Sequence, residues 1–238
     1  GGDAQISTAQ SKFGGSSLSL DGNGDYVDLP QSTNQLTSDD FTIEFWFRIN
    51  SGAGSSTYGI LGSFNQESGT YKGFYFFTTS ARPQVYFQAY CGSDGWAEVN
   101  KDQGTRTALS NNTWYHVAVT RNGSTWRLFL NGTQEDSITL DSSITDAGST
   151  TRLGSGGPIE TSGWFNGYIE DLRITKGVAR YTSNFTAPTT AHLTSAGDVN
   201  KHIVVNSDAD GVAIGTGGIN QARIAKAWVR FDGSGTPA

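Results

Sequence analysis

The sequence has 238 residues, one cysteine (Cys91) and a formal net charge of −6. A single cysteine excludes an intrachain disulfide framework, and the negative charge without a lysine and arginine cluster argues against binding to nucleic acid or to an anionic membrane. Because no apolar run approaches the ~20 residues of a membrane-spanning helix, we expect no membrane insertion.

Short strands joined by tight turns are predicted through the first half of the chain. The composition favours them, with 31 glycines and 12% aromatic residues. Ser17–Pro30 predicts two early strands. The clearest strand is Phe41–Ile49, where apolar residues alternate with an outer face that is polar except for Trp46. Further strands are predicted at Tyr58–Phe64, Gly73–Thr79 and Gln84–Tyr90, and Cys91–Asn111 is predicted as a long loop that carries Trp96.

The segment Trp114–Ile138 predicts a three-stranded antiparallel meander. Its apolar runs are separated by Asn122-Gly123 and Asn131-Gly132, and Asn-Gly supplies the positive φ angles of a two-residue hairpin turn. Strands this short need a larger sheet with a buried face. Two more strands are predicted at Thr151–Gly156 and Trp164–Tyr181, and no helix longer than one or two turns is predicted.

The character of the sequence changes near residue 191, after which aromatic residues are absent until Trp228. Residues 1–190 are predicted as one domain and residues 191–238 as a linker or oligomerisation segment, too short to bury a core alone. We expect several chains to pool these strands, as in a homotrimer. Because methionine is absent, we also expect the chain to be part of a longer protein.

Five spaced motifs resemble the laminin-G-like, concanavalin-A-like jelly-roll domains. They are SLSLDGNGDYV at 17–27, FTIEFWFR at 41–48, WYHVAVTR at 114–121, LFLNG at 128–132 and FNGYIEDLRI at 165–174. The resemblance implies an all-β fold in which two antiparallel sheets pack face to face. The run TKGVARYTSNFTAP at 175–188 resembles the version found in tailed-phage virion proteins, and AKAWVRFDGSGT at 225–236 is similar to segments of phage tail fibres.

These resemblances imply a phage virion appendage, a tail fibre or an accessory structural protein, located on the particle and in contact with other virion subunits. Its jelly roll would bind carbohydrate and attach the particle to a host-surface glycan. The alternative is a purely architectural capsid or tail decoration protein that binds no glycan.

Catalysis is not expected, although glycoside hydrolases share this fold. Hydrolysis needs two carboxylates on opposite sides of the scissile bond, and the related laminarinases carry them as Glu-x-Asp-x(-x)-Glu on one strand. This sequence has no such triplet, and Glu135-Asp136 and Glu170-Asp171 are adjacent pairs whose side chains would point to opposite faces of a strand. We therefore predict a non-enzymatic protein.

Aromatic residues in polar loops are the candidates for sugar binding. Carbohydrate sites present aromatic rings to the apolar face of a sugar and polar side chains to its hydroxyl groups. The residues that fit this description are Trp96, Tyr90, Asp94, Tyr58 and Tyr71, with Trp96 as the first choice.

The loop from Asp21 to Asp25 contains alternating oxygen donors and glycines that could converge on Ca²⁺. Related jelly rolls often carry one structural calcium between such an early loop and an acidic late strand. The resemblance implies Asp21 and Asp171 as ligands, with Asp25 and Glu170 as helpers. The alternative is a tight turn that binds no metal.

Overall fold

The structure is a computed structural model, and it describes residues 1–13, 15–30, 36, 40–50, 57–79, 84–99, 107–159, 163–192, 205–208 and 211–214. The chain divides into two compact units, Gly1–Thr190 and Ala191–Ala238. Among the described residues, no helix has the length and apolar character needed to cross a membrane.

Two antiparallel sheets form the first unit. Along the described chain its strands are β1 (Gln5–Ser7), β2 (Ser17–Asp21), β3 (Val27–Leu29), β4 (Phe41–Ile49), β5 (Thr57–Gly62), β6 (Asn65–Glu67), β7 (Thr70–Lys72), β8 (Phe74–Thr79), β9 (Val85–Tyr90), β10 (Trp96–Val99), β11 (Trp114–Asn122), β12 (Thr125–Leu130), β13 (Thr133–Thr139), β14 (Thr151–Leu153) and β15 (Asn166–Lys176). The larger sheet has the order β1-β2-β15-β4-β11-β12-β13 and the smaller one β10-β9-β8-β5-β14-β3, while β6 and β7 pair as a separate hairpin. The predicted all-β sandwich is confirmed.

Aromatic side chains from both sheets meet in the core. Phe45 of β4 packs edge-on against Phe76 of β8, with ring centroids 5.2 Å apart, and Trp126 of β12 lies 6.2 Å from Phe87 of β9. All four side chains are fully buried. Removing one such ring would cost about 3–5 kcal/mol, so these contacts hold the two layers together.

The predicted meander is present as β11, β12 and β13, with one change in turn position. Asn131-Gly132 forms the second turn, and both residues have positive φ (50° and 81°), as a type I′ turn requires. In the first turn Asn122 pairs with Thr125, so the two loop residues are Gly123 and Ser124. The prediction of Asn122-Gly123 was therefore wrong by one position, because Gly123 (φ 56°) alone supplies the positive φ there.

The prediction that Cys91–Asn111 is a loop was partly wrong. Gly92–Asp94 forms a 3-10 turn, and β10 follows it and pairs with β9, with Trp96 opposite Tyr90. Four residues are too few for alternation to predict a strand, but pairing with β9 stabilises it. The remainder of the predicted loop up to residue 106 lies outside the described residues.

The outer face of β4 is covered, whereas alternation had suggested a solvated polar face. The covering segment is residues 177–187, which we call the strap. Thr42 Oγ1 donates to Val178 O (3.0 Å), Thr120 Oγ1 donates to Tyr181 O (2.8 Å), and Phe185 N donates to Gly132 O (2.9 Å). The strap therefore crosses β4, β11 and the β12–β13 turn.

A charged residue is buried beneath the strap. Glu44 is fully buried and accepts hydrogen bonds from Arg173 Nε (2.8 Å) and from the Tyr181 hydroxyl (2.8 Å), and Arg173 Nη2 lies 2.6 Å from it. His116 Nε2 lies 3.3 Å from the same carboxylate. Burial, together with the Glu44 charge, raises the pKa of Tyr181 above its usual value.

In the second unit the described residues form an antiparallel hairpin of β16 (Val205–Asp208) and β17 (Gly211–Ile214). The segment 225–236, which resembles phage tail fibres, lies outside the described residues.

Candidate functional site

Aromatic side chains gather on the outer face of the smaller sheet, at the end formed by β8, β9 and β10. Because Phe87 and Ala89 face the core, their neighbours Gln88 and Tyr90 face outward. By the same alternation, Tyr75 on β8 and Trp96 on β10 also face outward. The β6–β7 hairpin adds Tyr71, and Phe64 precedes it.

We call Phe64, Tyr71, Tyr75, Tyr90 and Trp96 the aromatic platform. Phe64 lies at its centre, with ring centroids 5.6 Å from Tyr71, 5.1 Å from Tyr75 and 5.7 Å from Trp96. Trp96 lies 5.3 Å from Tyr71 and 5.4 Å from Tyr90. Tyr71 is 38% exposed and the other four side chains are partly exposed. The rings therefore hold one another in place and still present apolar area to solvent.

Backbone geometry brings the β6–β7 hairpin onto the platform. Gly73, between β7 and β8, has φ 81°, and a Cβ there would lie 2.6 Å from Ser63 O. Its N–H donates to Thr145 O and its carbonyl accepts from Tyr90 N, both at 2.9 Å. Since only glycine combines this φ with so close an approach, Gly73 fixes the hairpin next to Tyr90.

Polar side chains border the platform. Gln88 lies between Tyr75 and Glu98 in register, accepts from the Tyr75 hydroxyl, and donates through Nε2 to Glu98 Oε1 at 2.7 Å. On the 3-10 turn, exposed Asp94 accepts from the Ser142 hydroxyl. These hydrogen bonds fix an amide and two carboxylates beside exposed rings, an arrangement suited to contacting both the apolar faces and the hydroxyl groups of a ligand.

The structure brings together four of the five residues proposed for sugar binding. Tyr71, Tyr90 and Trp96 belong to the platform, and Asp94 lies on the turn between the last two. Tyr58 lies apart, packed against the hydrophobic core.

Two members of the platform were not predicted. Alternation in β8, where Phe74 and Phe76 face inward, was a usable signal for Tyr75. Phe64 follows a strand and has no such pattern, so no local signal indicated its position.

Three carboxylates form a second cluster at the early loop. The side chains of Asp3, Asp21 and Asp25 each place an oxygen within 4.8 Å of the others. Asp25 is buried, and its oxygens accept from Asp3 N (2.7 Å) and Asp21 N (2.9 Å). A hydrogen bond with Asp25 and the negative charges of Asp25 and Asp21 raise the pKa of Asp3. Converging carboxylates with this mutual repulsion fit a hard cation such as Ca²⁺.

The two late-strand candidates for a metal ligand lie outside this cluster. Register pairs Asp21 with Asn166, which places Glu170 four residues farther along β15, or about 13 Å away. Glu170 accepts hydrogen bonds from the backbone N–H groups of Lys12 (2.6 Å) and Phe13 (2.8 Å). Asp171 lies in an irregularity of β15 with φ 59°. The carboxylates of Asp21 and Asp25 therefore lie beside that of Asp3, and not beside those of Glu170 and Asp171.

Solved structures with the same fold include a domain of an arabinanase, the CBM40 of a sialidase and a toxin receptor-binding domain. The chain matches domain 4 of AbnA, a GH43 extracellular arabinanase from Geobacillus stearothermophilus in complex with arabinotriose, at 19% identity and a TM-score of 0.54, covering 75% of this chain and 78% of that one. The CBM40 of the Ruminococcus gnavus IT-sialidase, bound to α2,3 sialyllactose, matches at 15% identity and a TM-score of 0.55 over 69% and 91%. The receptor-binding domain of botulinum neurotoxin D matches at 19% identity and a TM-score of 0.54 over 78% of this chain and 44% of that one. At these identities the similarity shows the fold alone.

No curated protein matches the sequence. The laminin-G-type family model, described as the concanavalin A-like lectin/glucanases superfamily, matches residues 21–183. This span includes the platform, the strap as far as residue 183, and both sheets except β1 and the first four residues of β2. With the two-sheet architecture in agreement, the chain belongs to the concanavalin A-like lectin/glucanase superfamily.

Proposed function

We propose that the jelly roll is a non-catalytic carbohydrate-binding module and that the aromatic platform is its binding surface. The observation that carries this proposal is the convergence of Tyr71, Tyr90 and Trp96, whose ring centroids lie 5.3–6.2 Å apart with Tyr71 exposed. Exposed rings beside fixed polar groups suit the apolar face and the hydroxyl groups of a sugar. The known glycan complexes of two proteins with this fold support the proposal.

The surroundings of the acidic side chains favour binding over hydrolysis. A glycosidase needs two carboxyl groups about 5–9.5 Å apart across an open site. Glu44 is fully buried against Arg173, Glu98 is engaged by the Gln88 amide, and Glu170 accepts backbone N–H groups. These carboxylates have structural partners, which supports a protein that retains its glycan without cleaving it.

A glycan array probed with the whole chain and with Trp96→Ala tests this function. We expect glycan-specific binding that falls at least about tenfold in Trp96→Ala, since stacked rings dominate such sites. Trp114→Ala is the matched control, because Trp114 is a partly exposed tryptophan on β11 of the other sheet and should leave binding unchanged. Absence of Trp96-dependent binding to any glycan would reject the proposal and favour the architectural role.

For the whole protein we propose a phage virion appendage, a tail fibre or an accessory structural subunit, in which this module attaches the particle to a host-surface glycan. The resemblance of residues 175–188 to tailed-phage virion proteins, and of residues 225–236 to tail fibres, supports this role. Other virion subunits would be its partners, and its location would be the particle surface.

Homotrimerisation through residues 191–238 is part of this proposal. The segment is a separate unit that is too short to bury a substantial core by itself. Light scattering on the full chain at micromolar concentration should give three times the 25.4 kDa mass of one chain. A monomeric mass under these conditions would contradict the proposed trimer without affecting glycan binding.

A further inference from the structure

The described charged groups around the aromatic platform are mostly acidic, whereas an acidic sugar needs an available cation. Sialic and uronic acids carry a carboxylate, and proteins bind carboxylates best with arginine, which can donate two parallel hydrogen bonds, or with an available ammonium group. On the side of the platform formed by β9, β10 and the 3-10 turn, the polar residues are instead Asp94, Glu98 and Gln88. On the side of the hairpin, Lys72 follows Tyr71.

Each of these groups has its orientation fixed by a neighbour. Gln88 donates one amide N–H to Glu98 and accepts from the Tyr75 hydroxyl, and these two bonds fix the orientation of its amide. Asp94 is exposed, and its hydrogen bond with Ser142 orients it on the turn before Trp96. The border of the platform therefore presents negatively charged acceptors.

Among the described residues, two cations on this sheet and its hairpin, Lys72 and Arg152, are each paired with an acid. Lys72, on the platform hairpin, lies 2.6 Å from Glu67, which is mostly exposed, and this ion pair lowers the pKa of Glu67. Arg152 lies two strands from Tyr75 across Gly62, and its Nε donates to Asp28 Oδ1 at 3.1 Å. Its guanidinium also stacks over Tyr26, 3.9 Å from the ring centroid.

We infer that the platform selects uncharged glycans and discriminates against acidic ones, an inference that rests on the proposed carbohydrate-binding function. Carboxylates accept hydrogen bonds from the hydroxyl groups of a neutral sugar, whereas the carboxylate of an acidic sugar bound over the same rings would meet like charges beside a low-dielectric aromatic surface. The net charge of −6 on the chain adds a weaker repulsion of the same sign.

The test compares neutral and acidic glycans on one array, using the full chain, Trp96→Ala and Asp94→Asn. We expect Trp96-dependent signals on neutral glycans to exceed those on sialylated and uronic-acid glycans at least about tenfold. In Asp94→Asn the neutral-to-acidic ratio should fall by about threefold, because one repulsive charge has been removed. Asp40→Asn is the charge-matched control beside the β11–β12 turn, where Asp40 accepts from Gly123 N, and it should leave the ratio unchanged.

The outcomes separate this inference from the proposed function. Trp96-dependent binding that favours acidic glycans would overturn the inference and retain a carbohydrate-binding module. A ratio that does not change in Asp94→Asn would also contradict it. Absence of Trp96-dependent binding to any glycan would overturn both.

Discussion

Glu44 carries a carboxylate into a fully buried position between Arg173, Tyr181 and His116. A buried charge is tolerated only when paired and hydrogen-bonded, and removing one partner leaves it uncompensated. The two nitrogen contacts from Arg173 supply the compensating charge, so this arginine connects β15 to β4 beneath the strap.

Replacing Arg173 with methionine should therefore destabilise the fold strongly. We expect Arg173→Met to lower the free energy of unfolding by about 3 kcal/mol or more. Lys72→Met is the control, since its ion pair with Glu67 is at the surface and should contribute far less to the free energy of unfolding. Urea denaturation monitored by tryptophan fluorescence measures both. The double variant Glu44→Met/Arg173→Met should recover part of the loss, and equal costs for Arg173→Met and Lys72→Met would contradict the prediction.

The buried thiol of Cys91 should make the fold less stable at alkaline pH. Burial raises the pKa of its thiol from 9.0 to about 11. Below pH 9 the thiol is neutral in both the folded and the unfolded state. Between pH 9 and 11 it ionises only in the unfolded chain, so the free energy of unfolding decreases as the pH rises. The total decrease is about 2–3 kcal/mol. Denaturation curves from pH 7 to 11 should show that the free energy of unfolding of the wild-type protein, relative to that of Cys91→Ala, decreases between pH 9 and 11. A constant difference would contradict the prediction.

Strand alternation identified the face on which each of these residues lies but not what covers that face. Glu44 was correctly placed opposite the apolar residues of β4, yet its burial depends on a strap more than 130 residues away in sequence. Trp96 and Tyr90 were recognisable as candidates because they are aromatic residues in a polar, glycine-containing segment. Their contact with Phe64 and Tyr71 depends on the β6–β7 hairpin, which no local pattern predicted.

At the scale of elements, the two meander turns offer a matched comparison of glycines. A Cβ at Gly132 (φ 81°) would overlap the carbonyl oxygen of Phe185 in the strap, whereas a Cβ at Gly123 (φ 56°) would meet no atom of the described residues within 4 Å. We expect Gly132→Ala to cost about 2–4 kcal/mol, because it adds displacement of the strap to the backbone strain. Gly123→Ala should cost about 1 kcal/mol from the strain alone. Chemical denaturation of both variants tests this, and equal costs would show that the strap does not constrain the second turn.

The elements predicted correctly were those long enough to show a period. Strand β4 has the bounds predicted from nine alternating residues, and the meander has its three strands. Strands β1, β6, β7 and β10 have only three or four residues each, so alternation could not distinguish them from loops. They form because a neighbouring strand or turn pairs with them, which is non-local information.

At the scale of the whole molecule, two packed sheets were predicted because five motifs of the first domain resemble a known family. All the strands in these motifs except β3 belong to the larger sheet, so the motifs alone did not indicate how the smaller sheet is built. The acidic cluster could be predicted only in part. Asp21 and Asp25 lie in one loop, but Asp3 joins them because the chain near residue 1 lies beside Tyr26, where Gly1 N donates to Tyr26 O at 2.7 Å. No sequence motif links Asp3 to that loop.

If this cluster binds calcium, as we propose, the ion would tie the first residues of the chain to the β2–β3 loop and stabilise the whole first unit. An ion that binds only the folded state stabilises it by about 2.7 kcal/mol at a hundredfold excess over its Kd, which for a chain of this size corresponds to a rise in Tm of about 5–10 °C. Thermal unfolding in calcium and in chelator should show this difference. Asp3→Asn should reduce it strongly, whereas Asp171→Asn should retain it because Asp171 lies outside the cluster. A Tm that is the same in calcium and in chelator would contradict the proposal, and loss of the shift only in Asp171→Asn would assign the ion to the late strand instead.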